Sequence, residues 1–166
     1  MIRQIVLILG LMFFSNQLYS QSGWVQMTWP TYRIDFMLPE NFAVFESSAD
    51  NYIAQGNGFS FAIRPWRDST LTAEQVAAKA LEQLNAEDAA ITFRDKIDLD
   101  GFEGYEIIGA GRQEGNDLFF VALGFIDPLS DLNYSAYIMF WHDPEKDDEN
   151  IGIAKRIVEG IRKADD

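Results

Sequence analysis

Leu118-Phe119-Phe120-Val121-Ala122-Leu123-Gly124-Phe125-Ile126 runs without a polar side chain. Successive residues of a strand point to opposite faces, so a strand of this composition is buried on both. Tyr134 to Trp141 is nearly as apolar. Two such strands need a cover on each side, and one helix cannot supply both. Two helices are legible. Thr72-Ala73-Glu74-Gln75 has the form of a capping box, and after it Val76, Ala77, Ala80, Leu81 and Leu84 line one stripe at helical spacing, with Lys79, Glu82 and Gln83 off it. This helix is expected to run to Ala86 or Asp88. Near the C-terminus Ile151, Ala154, Ile157, Val158 and Ile161 form a second stripe, with Asp143 as cap and Pro144 at the first helical position. The expected fold is therefore α+β: a three-layer α/β/α sandwich with a mainly antiparallel central sheet, one mid-chain helix and one C-terminal helix.

The remaining strands follow outward from this pair. Tyr32, Ile34, Phe36 and Leu38 share one pleat face and Arg33 and Asp35 the other, until Pro39 ends the run. Phe42 to Glu46 and Tyr52 to Gln55 repeat weaker strand patterns. After the turn Gly56-Asn57-Gly58, Phe59, Phe61 and Ile63 alternate with Ser60, Ala62 and Arg64, completing a meander. Beyond the first helix, Ile91, Phe93, Ile97 and Leu99 are set against Thr92, Arg94, Lys96 and Asp98. Asp100-Gly101 is then a hairpin signal, because the turn needs positive φ and glycine accepts it freely. Phe102 to Arg112 is a further strand, closed by Glu114-Gly115-Asn116-Asp117, and Asp127-Pro128 separates the two apolar strands. No repeat or linker divides residues 23–166, which read as one domain.

The first residues read as an address. Arg3 precedes the apolar run Ile5 to Phe14, and a polar stretch with small residues at Ser20 and Ser22 follows, the order of a cleavable signal peptide over residues 1–22. The run is too short to span a bilayer, which takes about 20 apolar residues. The expected destination is the periplasm or the medium, without stable membrane insertion after cleavage. The chain has 166 residues and a net charge of −13, from 13 basic and 26 acidic side chains. Loss of Arg3 would leave 12 against 26, or −14. Phosphate contacts need clustered basic residues, so nucleic acid is excluded as a partner. Cysteine is absent, and with it disulfides, thiolate metal sites, cysteine nucleophiles and a lipidated N-terminal cysteine.

The order of elements and several phrases resemble the PsbP-like family, a superfamily that includes an extrinsic subunit of the photosynthetic oxygen-evolving complex and a Ran-binding nuclear transport factor. The phrases are Pro39-Glu40-Asn41-Phe42 after an early strand, Leu99-Asp100-Gly101-Phe102-Glu103-Gly104-Tyr105, and the closing helix Ile151 to Arg162. The resemblance spans Tyr32 to Arg162 and implies an accessory or binding scaffold. It transfers no active-site residue.

Candidate chemistry is sparse. His142, the sole histidine, would have to serve any Ser-His-Asp site, with Ser130 or Ser135 as nucleophile, but no nucleophile-elbow phrase exists. Asp143 to Glu149 could gather oxygen ligands for calcium. The same acidic residues also complement a helix dipole with no metal present. Gly109-Ala110-Gly111 precedes a strand, where a phosphate loop needs a helix. The surface candidate is Arg64-Pro65-Trp66-Arg67, expected in a loop, where an aromatic ring sits between two positive charges in an acidic protein. The resulting expectation is a non-enzymatic, cofactor-free accessory module that binds a protein or peptide partner through Arg64, Trp66 and Arg67. The rival is a small-ligand binder or hydrolase-like enzyme with a dispersed cleft site using residues such as His142 and Glu106.

Overall fold

The computed structural model describes residues 23–165; the signal peptide expected over residues 1–22 lies outside them. Five strands come first: β1 (Trp24–Trp29), β2 (Ile34–Pro39), β3 (Ala43–Ser47), β4 (Tyr52–Gly56) and β5 (Phe59–Trp66). Then follow α1 (Ala73–Leu84), β6 (Glu87–Leu99), β7 (Phe102–Gln113), β8 (Asn116–Ile126) and β9 (Asn133–Trp141). The chain closes with α2 (Asp147–Glu159) and β10 (Arg162–Lys163). A seven-stranded antiparallel sheet has the order β3-β4-β5-β9-β8-β7-β6, and a three-stranded sheet the order β1-β2-β10.

The doubly apolar strands β8 and β9 lie side by side in the long sheet. On one face α1 packs Ala77, Ala80 and Leu84 against Phe120, Ala122 and Met139. The helix sits directly on Gly124, where a Cβ would run into the Ala73 carbonyl and the Ala77 amide. Its capping box is formed, with Gln75 N donating to Thr72 Oγ1 at 3.2 Å and Thr72 N to Gln75 Oε1 at 2.9 Å. Asn85 ends it in the left-handed region at φ 52°, the conformation that closes many helices.

The α/β/α sandwich is present, but its second cover is composite. The small sheet and α2 share that face. Phe36 of β2 packs on Tyr52 and Phe61 with ring centroids 4.7 and 5.1 Å apart, while Ala154, Ile157 and Val158 of α2 join the same core. The run from Tyr32 to Leu38 therefore leaves the meander and pairs with β1 and β10 instead. The reason lies in Asp35. Its carboxylate, 6% exposed, accepts from Gln26 Nε2 at 2.9 Å and Thr28 Oγ1 at 2.7 Å on β1, and Arg162 of β10 stands 3.7 Å away. Buried charges require such partners, so side chains of the flanking strands close around Asp35 on the face that alternation assigned to water. Neither β1 nor β10 was expected from the sequence.

The C-terminal helix is shorter than the stripe suggested. Asp143 and Pro144 belong to a turn, and α2 begins at Asp147 because Asp147 N and Lys146 N both donate to the Asp143 carbonyl before regular helix is established. It ends at Gly160, whose Cα faces the backbone of Met37, and the chain then extends along β2. Strand β6 starts at Glu87, earlier than expected, and two register shifts mark its first half.

Candidate functional site

The long sheet is wider than either cover, and the α2 face shows the consequence. Across it the register sets Phe93, Ile108 and Val121 in one row on β6, β7 and β8, and Asp95, Glu106 and Leu123 in the next. α2 reaches the inner part of these rows with Ala154 and Val158 and leaves the outer part uncovered. Between helix and strands lies a groove of about 510 Å³. Ile108, Phe119 and Val121 make its floor, Ala154 and Val158 its inner wall, and Ile151 its lip. Ile151 is 51% exposed and Phe93, beside the floor on the edge strand, 46%.

Glu106 is the charge that the sheet contributes to the groove lining. Along β7 the α2 face reads Phe102, Gly104, Glu106, Ile108, Ala110, so the carboxyl interrupts a greasy row. It is half-buried and has no hydrogen-bond partner among the described residues. Burial pushes its pKa up, the facing Asp95 pushes it further, and Lys155 of α2 opposes both. Lys155 is engaged elsewhere, with Nζ 3.7 Å from Glu159 Oε1 one helical turn on. A desolvated carboxyl beside a like charge is a costly arrangement that a fold seldom carries without a use.

The residues singled out by sequence do not meet in one place. His142 follows β9, with Nδ1 2.6 Å from Asp147 Oδ2 and its ring edge-on to Phe119 at 5.6 Å. Glu106 shares its row with Leu123 and Ala136, so His142 stands six residues further along β9, about 20 Å at strand rise. The two cannot act on one small substrate. Ser135 is also remote from His142, and its buried hydroxyl accepts from Trp66 Nε1 at 2.8 Å and donates to Gln83 Oε1 at 3.2 Å. In the acidic stretch, Asp143 Oδ1 accepts from Glu145 N and Asp147 Oδ1 from Asp143 N, at 3.1 and 2.9 Å. Those carboxylates build the turn into α2.

Arg64, Pro65 and Trp66 are not in a loop. They finish β5, opposite Ser135, Tyr134 and Asn133 of β9. Pairing with β4 stops at Ile63, so Pro65, which has no N–H to offer, falls where the ladder on that side has ended. Arg64 Nε donates to Asn51 Oδ1 at 2.8 Å, and Lys79 Nζ lies 4.7 Å over the Trp66 ring. Arg67 is exposed just past the strand. The phrase is thus a strand end with a half-buried indole, flanked by α1.

Sequence reasoning named Glu106 without its setting, assigned Ile151 to the core stripe of the closing helix although it stands exposed at the lip, and did not single out Asp95 or Lys155. One signal was available: a lone carboxyl in an otherwise apolar alternation. A second hollow, of about 600 Å³, opens on the α1 face between Phe45, Trp141 and the Gly56-Asn57-Gly58 turn, and its polar side chains are amides and hydroxyls.

Layer order and strand topology define the class: an α/β sandwich of the PsbP/Mog1-like fold. Among solved structures, the Ran-binding protein Mog1p of Saccharomyces cerevisiae is similar with a TM-score of 0.59 over 86% of this chain and 96% of that one, at 9% identity. The PsbP protein (CyanoP) of Synechocystis sp. PCC 6803 is similar with a TM-score of 0.58 over 84% of this chain and 91% of that one, also at 9% identity. At such identity the likeness is one of fold. No family model matches the chain, and no curated protein matches it.

Proposed function

We propose that this chain is an exported, non-enzymatic accessory module that binds a protein partner, with the groove beside α2 as its contact surface. The observation that carries the reading is the groove itself: apolar floor and wall, and a lip where Ile151 is left in water. Apolar surface gathered at one concave place marks a site of association. Two further facts support it. The fold serves protein binding in the yeast Ran-binding protein, and the histidine and serines required for a hydrolytic site are dispersed. Export rests on the Arg3 and Ile5 to Phe14 pattern. Among the described residues no helix is long and apolar enough to cross a membrane. Arg64, Trp66 and Arg67 constitute the competing contact surface.

The test places a photo-crosslinking amino acid at Ile151 in one version of the full chain and at Trp66 in another, each expressed in its native envelope. A discrete adduct from position 151, abolished when Ile108→Trp fills the groove in a variant whose melting temperature is unchanged, supports the reading. An adduct from position 66 alone moves the contact to β5 and overturns the assignment of the groove.

A further inference from the structure

The groove's charge specifies what it receives. We propose that it accepts an extended basic-apolar segment of a protein partner, seating apolar side chains on Ile108, Phe119 and Val121 and a Lys or Arg against Glu106. The inference rests on the partner-binding reading above and gives that partner its chemistry.

Three observations converge on it. First, Glu106 opposes Asp95 directly across β6 and β7, and like charges at directly opposed sheet positions repel. The basic group at hand, Lys155, already lies beside Glu159. The charged groups acting on Glu106 are then Asp95 from β6 and Lys155 from α2, which with Glu106 itself leave one net negative charge for an added cation to neutralise. Second, Glu106 has no hydrogen-bond donor among the described residues, so a guanidinium or ammonium would meet an unfilled acceptor, the strongest class of polar contact. Third, β6 is an edge strand of the long sheet, exposed along nearly its whole length. Phe93, Asp95 and Ile97 alternate along it on the groove side. An extended segment lying beside them would meet an apolar, an acidic and an apolar position in turn, and extended peptides read sheet edges at this spacing. The net charge of −13 draws cationic segments toward the surface.

The probe is a fluorescein-labelled nonapeptide alternating Ile and Ser with one central Lys, compared with peptides carrying Gln or Glu in its place. Fluorescence anisotropy on the mature protein should show the Lys peptide binding about tenfold more tightly than the Gln peptide, the size of one charge-assisted contact. The Glu peptide should bind least. Glu106→Gln should erase the preference for Lys over Gln while leaving the melting temperature unchanged or higher, since it removes a repulsion. Glu114→Gln, an equal loss of charge at the exposed β7–β8 turn, should leave the preference intact. Equal binding of the Lys and Gln peptides, a preference that survives Glu106→Gln, or no binding by any peptide at about 1 mM would each overturn the inference. So would displacement of the Lys peptide by octylamine at equal affinity, which would make the occupant a small organic cation. The crosslink at position 151 reads the contact surface whatever the partner's charge, so failure here is separable from failure of the partner-binding reading.

Discussion

Asp127 sits at the end of β8 with one oxygen 2.8 Å from Lys163 Nζ, and through that contact the last strand is fastened to the long sheet. Burial pushes its carboxyl up, but the Lys163 ammonium, with the Leu129 amide, outweighs burial and holds the pKa below the ordinary 3.8. Its stabilising effect is therefore complete above pH 3.8 and fades as pH falls through the lower folded value. Asp127→Asn should cost about 1 kcal/mol at pH 7 in urea unfolding, the low end for a charged hydrogen bond because Lys163 is partly in water. The cost should shrink toward pH 3; a loss independent of pH would assign the residue's role to its Leu129 turn alone. Glu106 has the opposite sign. Its raised pKa means that the folded state is relieved at low pH and strained as pH rises through the folded value, which is the condition in which a cationic partner would be most welcome. Asp35 shows why such residues resist sequence reading: alternation places it on the polar side, and only pairing by β1 and β10 reveals that side as interior.

The contact between α1 and β8 depends on a missing side chain. With Gly124 the helix backbone rests on the strand, and the Ala77 and Ala80 methyls fill the space that remains. Gly124→Ala should destabilise by about 3 kcal/mol, the upper range for overpacking a closed interface, and a chemical melt would show it. A change under about 0.5 kcal/mol, the size of an ordinary surface substitution, would mean that α1 can lift without loss. The elements legible from sequence were those with a strong local cause: the Thr72 capping box, the Asp100-Gly101 turn, and the two-sided grease of β8 and β9. Those that escaped depend on distant partners. Trp66 looked like a loop residue because Pro65 breaks a strand pattern, yet the ladder to β9 continues through Trp66. The groove escaped for the same reason. Its floor comes from two strands, its wall from a helix, and its charge from a residue whose one local mark is the apolar alternation it interrupts.

At the scale of the molecule, the sandwich follows from one demand, that two strands apolar on both faces be covered on both. The sequence supplied two helices for that purpose, and the shortfall in α2's reach could be seen only once the width of the long sheet was known. A version ending at Glu159 would lack β10, leaving Asp35 without Arg162 and Asp127 without Lys163. It should bind a hydrophobic dye and be cleaved early by trypsin after Arg33, in the turn between β1 and β2, while the α1 side stays protected. Resistance equal to that of the full chain would show the small sheet to be self-sufficient. The order β1-β2-β10 also has a bearing on biogenesis. Its middle strand is flanked by the first and the last strand among the described residues, so a chain made from its N-terminus cannot finish this layer until Arg162 and Lys163 have been added. Under the export proposed above, the same order would hold the layer open until the last strand has crossed, keeping the chain threadable during passage.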